Sequence, residues 1–252
     1  MAIKLVSTKN AARESGVKIT VYGPAGSGKT RLCATTGEPT LIISAEAGLM
    51  SLRDFDIDVA EVTTIEQVHE VYRYLSASEE GKKYKWVCLD SISEIAEVVL
   101  AEEKKDTKDP RKAYGVLQDK MYDLIRAFRD LPGRNVYFSA KMLAEKHDII
   151  EQRVKGALTV NEVVGQRMSY GPSLPGTKLG QALPYFTDMI FCLRVERDAE
   201  GNPSRWLQTQ PDESYVAKDR SGVLLPFEQP DLAAIAAKVT ATTNTTTEQK
   251  GV

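Results

Sequence analysis

The sequence predicts an α/β fold: a mostly parallel twisted sheet flanked by helices, with antiparallel strands at the C-terminal end. Three observations carry that prediction. A β-rich run, Val17 to Tyr22, ends in a glycine-rich turn that leads into a helix-forming stretch. Further apolar β-runs alternate with segments whose apolar residues recur at helical spacing, the pattern of a layered α/β sheet. Near the C-terminus, short β-runs follow one another with only turn residues between them.

The elements follow in order. Thr40 to Ser44 comes after Pro39, and Trp86 to Leu89 comes after the charged stretch Lys82 to Lys85. Both are short and apolar, as strands buried inside a parallel sheet are. Between them Ile65, Val68, Val71, Tyr72 and Leu75 mark a crossover helix, with Thr63 or Thr64 available as its N-cap. Ile92 to Lys105 and Tyr114 to Leu131 show the same period, and Pro132–Gly133 closes the second before a strand over Asn135 to Ala140. From Lys141 to Gly180 the pattern loosens into short β-like pieces. Its last part, Gly165 to Gly180, carries four glycines and two prolines and reads as a mobile loop. Met189 to Glu196, Arg205 to Gln210 and Tyr215 to Lys218 read as strands, with Asp198 to Pro203 as the turn between the first two. Pro230 to Lys238 forms a last helix, and the nearly apolar-free TATTNTTTEQKGV reads as a disordered tail. The expected division is an N-terminal arm over 1–14, one domain over 15–238 and a tail over 239–252. Ile3 and Leu5 in the arm fit a strand that docks on a neighbouring subunit, pairs with its own sheet edge, or frays.

Composition bounds the function classes. The 252 residues carry 33 Lys and Arg against 35 Asp and Glu, a net charge of −2, and 42% are hydrophobic. That is an ordinary globular chain with no global bias toward a polyanion, so any such site must be local. The longest apolar runs fall far short of the ~20 residues that cross a bilayer. The first sixteen residues lack a signal-peptide core, and the expected compartment is the cytoplasm. Cys33, Cys88 and Cys192 are far apart and set among apolar residues, so buried thiols are expected rather than disulfides or zinc. His69 and His147 have no ligating neighbours at metal spacing.

Gly23, Pro24, Ala25, Gly26, Ser27, Gly28, Lys29 and Thr30 fit G-x-x-x-x-G-K-[ST] between a strand and a helix. The glycines let backbone N–H groups converge on a β-phosphate at the positive end of the following helix. Lys29 reaches the β- and γ-phosphates, Thr30 ligates Mg²⁺, and Arg31 follows directly as a further nucleotide contact. ATP with Mg²⁺ is the expected ligand. Trp86 to Asp90 is an apolar strand ending in a carboxylate, the shape of a Walker B element, with Asp90 as second anchor of the metal or, alternatively, a helix N-cap. Ser91 follows where many ATPases carry a catalytic Glu. The water-activating acid must then lie elsewhere, and Glu46, at the end of the second strand and so at the same carboxyl edge, is the candidate unless it is a solvated loop acid.

A P-loop, a Glu just after the second strand and a strand ending in Asp-Ser together resemble the RecA/RadA recombinase core. The length and the string Leu174 to Gly180 are similar to the short RecA-like single-strand annealing proteins of bacteriophages. The resemblance spans about residues 15 to 230 and is weakest after Lys141. It implies a RecA-like P-loop NTPase that hydrolyses ATP, assembles as a homo-oligomer with nucleotide at subunit interfaces, binds and anneals single-stranded DNA, and works beside a single-strand binding protein. It further implies that Lys218 and Arg220, in the late strand Tyr215 to Arg220, enter the neighbour's site in trans. The other reading of these two is a surface ion-pair cluster. Lys141, after the strand Val136 to Ala140, stands where relatives sense the γ-phosphate, or is simply exposed. Arg167, Tyr170 and Lys178, in an acid-free stretch, suit a single strand's backbone and one stacked base, or belong to a solvated loop. The basic cluster Lys104 to Lys112 reads as a solvated helix end. The competing functions are a small-molecule kinase, poorly supported because 141–180 holds only Arg153 and Arg167 as lid arginines, and a non-hydrolysing nucleotide-gated DNA-binding adaptor.

Overall fold

The computed structural model describes Ser7 and residues 15–46, 48–155 and 158–241. The expected arm over 1–14, Ser7 apart, and the expected tail past residue 241 lie outside these. Among the described residues ten strands share one sheet. They are β1 (Lys18–Gly23), β2 (Thr40–Ser44), β3 (Asp58–Glu61), β4 (Trp86–Asp90), β5 (Asn135–Lys155), β6 (Leu158–Ser173), β7 (Met189–Arg197), β8 (Pro203–Gln208), β9 (Lys218–Asp219) and β10 (Phe227–Glu228). The helices are α1 (Lys29–Leu32), α2 (Ile65–Ala77), α3 (Ile92–Asp106), α4 (Pro110–Arg129), α5 (Thr177–Phe186) and α6 (Leu232–Thr240).

The sheet order is β10-β8-β7-β1-β5-β4-β2-β3. The six strands from β7 to β3 run parallel; β8, β9 and β10 pair antiparallel at the C-terminal end. This is the predicted α/β architecture and the fold of P-loop NTPases. Strand alternation explains why both faces are apolar. Val87 and Leu89 enter the core under α2 to α5, while Trp86 and Cys88 enter the one under α1 and α6. All three cysteines are buried free thiols, as expected. Local signals fix the helix starts: Thr64 caps α2 in a reciprocal capping box with Gln67, and Asp109 caps α4 with Pro110 in its first turn. No helix among the described residues is long and apolar enough to cross a membrane.

Two expectations are corrected, and one strand is unanticipated. The mobile loop over 165–180 is instead the second half of a long two-stranded arm, β5 with β6, followed by α5. Both faces of that arm mix charged and apolar residues, so the period-2 signal that marks a half-buried strand is missing. The short β3 is unanticipated because its Asp-Val-Ala-Glu is largely exposed at the sheet edge. The strand expected over Tyr215 to Lys218 shrinks to Lys218–Asp219.

Candidate nucleotide-binding site

All six residues of β1 are buried, and the strand ends where a side chain would not fit. A Cβ on Gly23 would lie 3.0 Å from the Leu193 carbonyl oxygen and 3.0 Å from Ser27 Oγ. Gly26 and Gly28 then adopt φ of 73° and 109°, left-handed backbone that only glycine enters freely. Gly28 is the N-cap of α1, so Lys29 and Thr30 open the helix at the carboxyl edge of the sheet. Tyr137, buried on β5, donates from Oη to the Lys29 carbonyl at 2.9 Å and braces that first turn from below.

Around this loop three strand ends converge. Lys29 Nζ donates to the Gly23 and Pro24 carbonyls, each at 3.0 Å. Burial holds the Lys29 pKa below its ordinary value, while the carboxylates of Glu46 and Asp90 pull it back up, which places both acids within electrostatic reach. Thr30 Oγ1 donates to Asp90 Oδ2 at 2.6 Å, and Ser139 Oγ on β5 donates to Asp90 Oδ1. One step away Ser91 Oγ donates to Glu46 Oε1 and also accepts from Glu94 N, the N-cap bond of α3, at 3.2 Å. The backbone of Glu46 is fixed as well: its N–H reaches the Asp90 carbonyl at 3.4 Å, and its own carbonyl accepts from Ser44 Oγ at 2.7 Å. The pairing of Ser44 with Asp90 and of Leu89 with Phe138 makes this convergence, since register brings the ends of β2, β4 and β5 side by side.

The donor set fits magnesium. Thr30 Oγ1 and Asp90 Oδ2 are adjacent hard oxygens, and among the described residues no cluster of three His, Cys, Asp or Glu could form an all-protein cage. One hydroxyl and one carboxylate, completed by phosphate and water, is how Mg²⁺ is commonly held. Bound there, the ion would neutralise phosphate charge and polarise the γ-phosphoryl group.

The other expected residues are placed as follows. Arg31 points away from the loop, donating to the Ser51 carbonyl at 3.1 Å with its guanidinium 4.5 Å over the Phe55 ring. Lys141 turns to α3, where its Nζ meets Glu94 at 2.7 Å and Glu97 at 2.9 Å. Burial depresses its pKa, but the two carboxylates outweigh that and raise it. Lys218 and Arg220 sit toward the end of the sheet opposite their own P-loop, because Asp219 pairs with Met189 and Met189 with Ile19. Lys218 Nζ caps the Pro184 and Thr187 carbonyls at 2.6 and 2.7 Å, and Arg220 pairs with Asp188 at 2.9 Å. The Tyr170 ring stacks on Tyr215 at 4.8 Å, with its carbonyl accepting from Tyr22 Oη, so it is packed rather than offered to a base. Arg167 lies mid-arm opposite His147, and Lys178 is exposed at the start of α5.

Sequence reasoning missed four contributors. Ser91, Ser139 and Tyr137 act through the contacts above. Arg205, on β8, donates from Nε to the Ser27 carbonyl at 2.9 Å and lies 3.6 Å from the Cβ position of Gly28, so a C-terminal strand touches the P-loop. Only the Asp-Ser after β4 offered a local clue, to Ser91.

No curated protein matches the chain. A family model described as an AAA domain matches residues 15–221, which takes in the P-loop, Glu46, Asp90 and every strand from β1 to β9. The match and the geometry agree, and the chain therefore belongs to the AAA domain family, as a nucleotide-binding domain of the P-loop ATPase type.

Proposed function

We propose that this protein hydrolyses ATP with Glu46 as the general base, and that it does so while binding and annealing single-stranded DNA. The observation that carries the hydrolytic part is the Ser91–Glu46 hydrogen bond beside the Thr30–Asp90 pair. It orients one carboxylate that no metal-anchoring contact uses. Glu46 Oε1 is taken by Ser91; the other oxygen accepts the proton of the attacking water. As the new phosphorus–oxygen bond forms, the bond from the γ-phosphorus to the β–γ bridging oxygen breaks, and ADP leaves with that electron pair. Lys29 supplies positive charge where it develops.

The nucleic-acid part draws on the resemblance to annealing proteins and on a groove of about 760 Å³ at the base of the arm. Tyr114, Leu143, Tyr170, Gly171, Leu174 and Val216 line it. Apolar and aromatic walls suit splayed, stacked bases. β5 links the two regions, since it carries Ser139 at Asp90 and then continues into the groove wall at Leu143. In the assembled oligomer Lys218 and Arg220 contact the neighbour's nucleotide.

ATP turnover measured with single-stranded DNA, duplex DNA and no DNA tests this reading. Stimulation by single strands, with turnover lost in Glu46→Gln, is expected. Turnover indifferent to DNA removes the annealing reading. Nucleotide binding without turnover favours the adaptor.

A further inference from the structure

Ser27 is the loop residue whose own side chain holds nothing. It is buried, and its Oγ meets no hydrogen-bond partner among the described residues. Its N–H reaches the Pro24 carbonyl only at 3.3 Å. What fixes the next peptide unit is the Ser27 carbonyl, which accepts from Arg205 Nε at 2.9 Å. A trans peptide sets its C=O and N–H on opposite sides. With the Ser27 carbonyl turned out to β8, the Gly28 N–H turns away from β8 and over the loop, where among the described residues it meets no acceptor. A donor is thus held open where a β-phosphate is expected.

Strand pairing explains why an arginine arrives there. β7 pairs with β1 as far as Cys192 with Tyr22 and then runs on past it, and β8 returns beside it with Arg205 opposite Val195. Side chains alternate along a strand, so Arg205 shares a face with Leu207, which is buried in the core under α1 and α6. The arginine therefore projects at the outer wall of the P-loop. It is exposed, and among the described residues the Ser27 carbonyl is the one group that it bonds.

We propose that Arg205 is a positioning residue of the nucleotide site, holding the Ser27–Gly28 peptide so that the Gly28 N–H is aimed at the β-phosphate before the nucleotide arrives. A guanidinium on the carbonyl also polarises the peptide, which strengthens its N–H as a donor. Preorganisation of this kind spares the bound state the cost of ordering a glycine-rich turn. The inference rests on the loop being a nucleotide site and needs neither Glu46 as base nor DNA.

Titration calorimetry of ADP with magnesium into the full chain tests it, because ADP carries the β-phosphate and no hydrolysis follows. Arg205→Gln puts an amide nitrogen where Nε stands, whereas Arg205→Met puts a methyl group there. The position is exposed, and thermal melts of the nucleotide-free variants check the fold. Arg205→Met is expected to weaken ADP binding by about tenfold, and Arg205→Gln by no more than about threefold. Arg205→Ala, which also lacks the donor, is expected to match Arg205→Met. Arg205→Met and Arg205→Ala binding ADP like the wild-type chain overturn the proposal while leaving the nucleotide site in place. Equal losses in Arg205→Gln and Arg205→Met overturn it too, because charge and not the anchored peptide would then matter. A wild-type chain that takes up no ADP removes the nucleotide site and the proposal with it.

Discussion

Ser91 holds two jobs that substitution can separate. Its Oγ accepts from Glu94 N as the N-cap of α3 and donates to the Glu46 carboxylate. Ser91→Ala removes both. Losing an N-cap costs about 1 kcal/mol, and losing a donor to a charged acceptor about 1.5–3 kcal/mol, part of which solvent recovers because Glu46 is only partly buried. The sum, roughly 2–3 kcal/mol, lowers the melting temperature by about 4–12 °C for a domain of this size. Turnover falls further than stability alone requires. A Glu46 carboxylate freed to rotate loses its aim, and about 1.4 kcal/mol of lost positioning is already tenfold in kcat. Ser91→Gly divides the two effects. Ser91 is fully buried, so a charged replacement is excluded, but glycine at an N-cap costs only a few tenths of a kcal/mol and offers Glu46 no donor. Thermal melts and steady-state ATPase on the two variants should therefore diverge: Ser91→Ala loses more stability, whereas Ser91→Gly keeps more of it, and both lose kcat. KM for ATP should change little in both, since the contacts of Ser91 are to Glu46 and Glu94. Wild-type kcat in Ser91→Gly, or an effect confined to KM, would refute the reasoning.

Three further outcomes follow from the same contacts. Ser139→Ala leaves the buried Asp90 Oδ1 without its donor and should cost about 2 kcal/mol of stability by denaturant titration, together with a rise in the magnesium concentration at half-maximal ATPase. Lys18 is buried at the start of β1, bonded to the Ser15 and Arg134 carbonyls, and burial lowers its pKa to about 8. Below pH 8 both folded and unfolded chains carry its proton, whereas between about 8 and 10.5 the unfolded chain binds more; stability from this group therefore rises with pH in that window, by up to about 1.4 kcal/mol per unit. Relative to Lys18→Met, the wild-type chain should gain stability as pH increases from 8 to 10, read by urea midpoints; a constant difference contradicts this. Lys218→Met removes the cap on the Pro184 and Thr187 carbonyls and should destabilise by about 1–2 kcal/mol, with ATPase lost only if the residue also reaches a neighbour's nucleotide.

What could be read from the sequence was what is local. The P-loop is an eight-residue pattern whose glycines are dictated by backbone torsion, and it was legible outright. Asp90 and Glu46 were legible because an apolar strand in a parallel sheet delivers its last residue to the ligand edge. What stayed hidden depends on pairing between distant segments. Ser139 faces Asp90 only because β5 lies against β4, and Arg205 reaches Ser27 across a hairpin that docks beside β1. The arm was misread for a different reason. Its apolar residues serve two exposed faces, so neither alternation nor helical spacing emerges, and its glycines, Gly165 and Gly171 among them, resemble a loop. Tyr170 likewise looked available for stacking because nothing near it in sequence announces Tyr215.

The central claim is that Glu46, and not a residue after Asp90, activates water at a triphosphate held by Lys29 and Thr30. Calorimetric titration of magnesium and ATP into Glu46→Gln and Lys29→Ala, paired with single-turnover hydrolysis, tests it most directly. The account predicts that Glu46→Gln binds nucleotide like the wild-type chain yet turns over about 10²–10⁴-fold more slowly, while Lys29→Ala binds poorly. Wild-type hydrolysis by Glu46→Gln would contradict it.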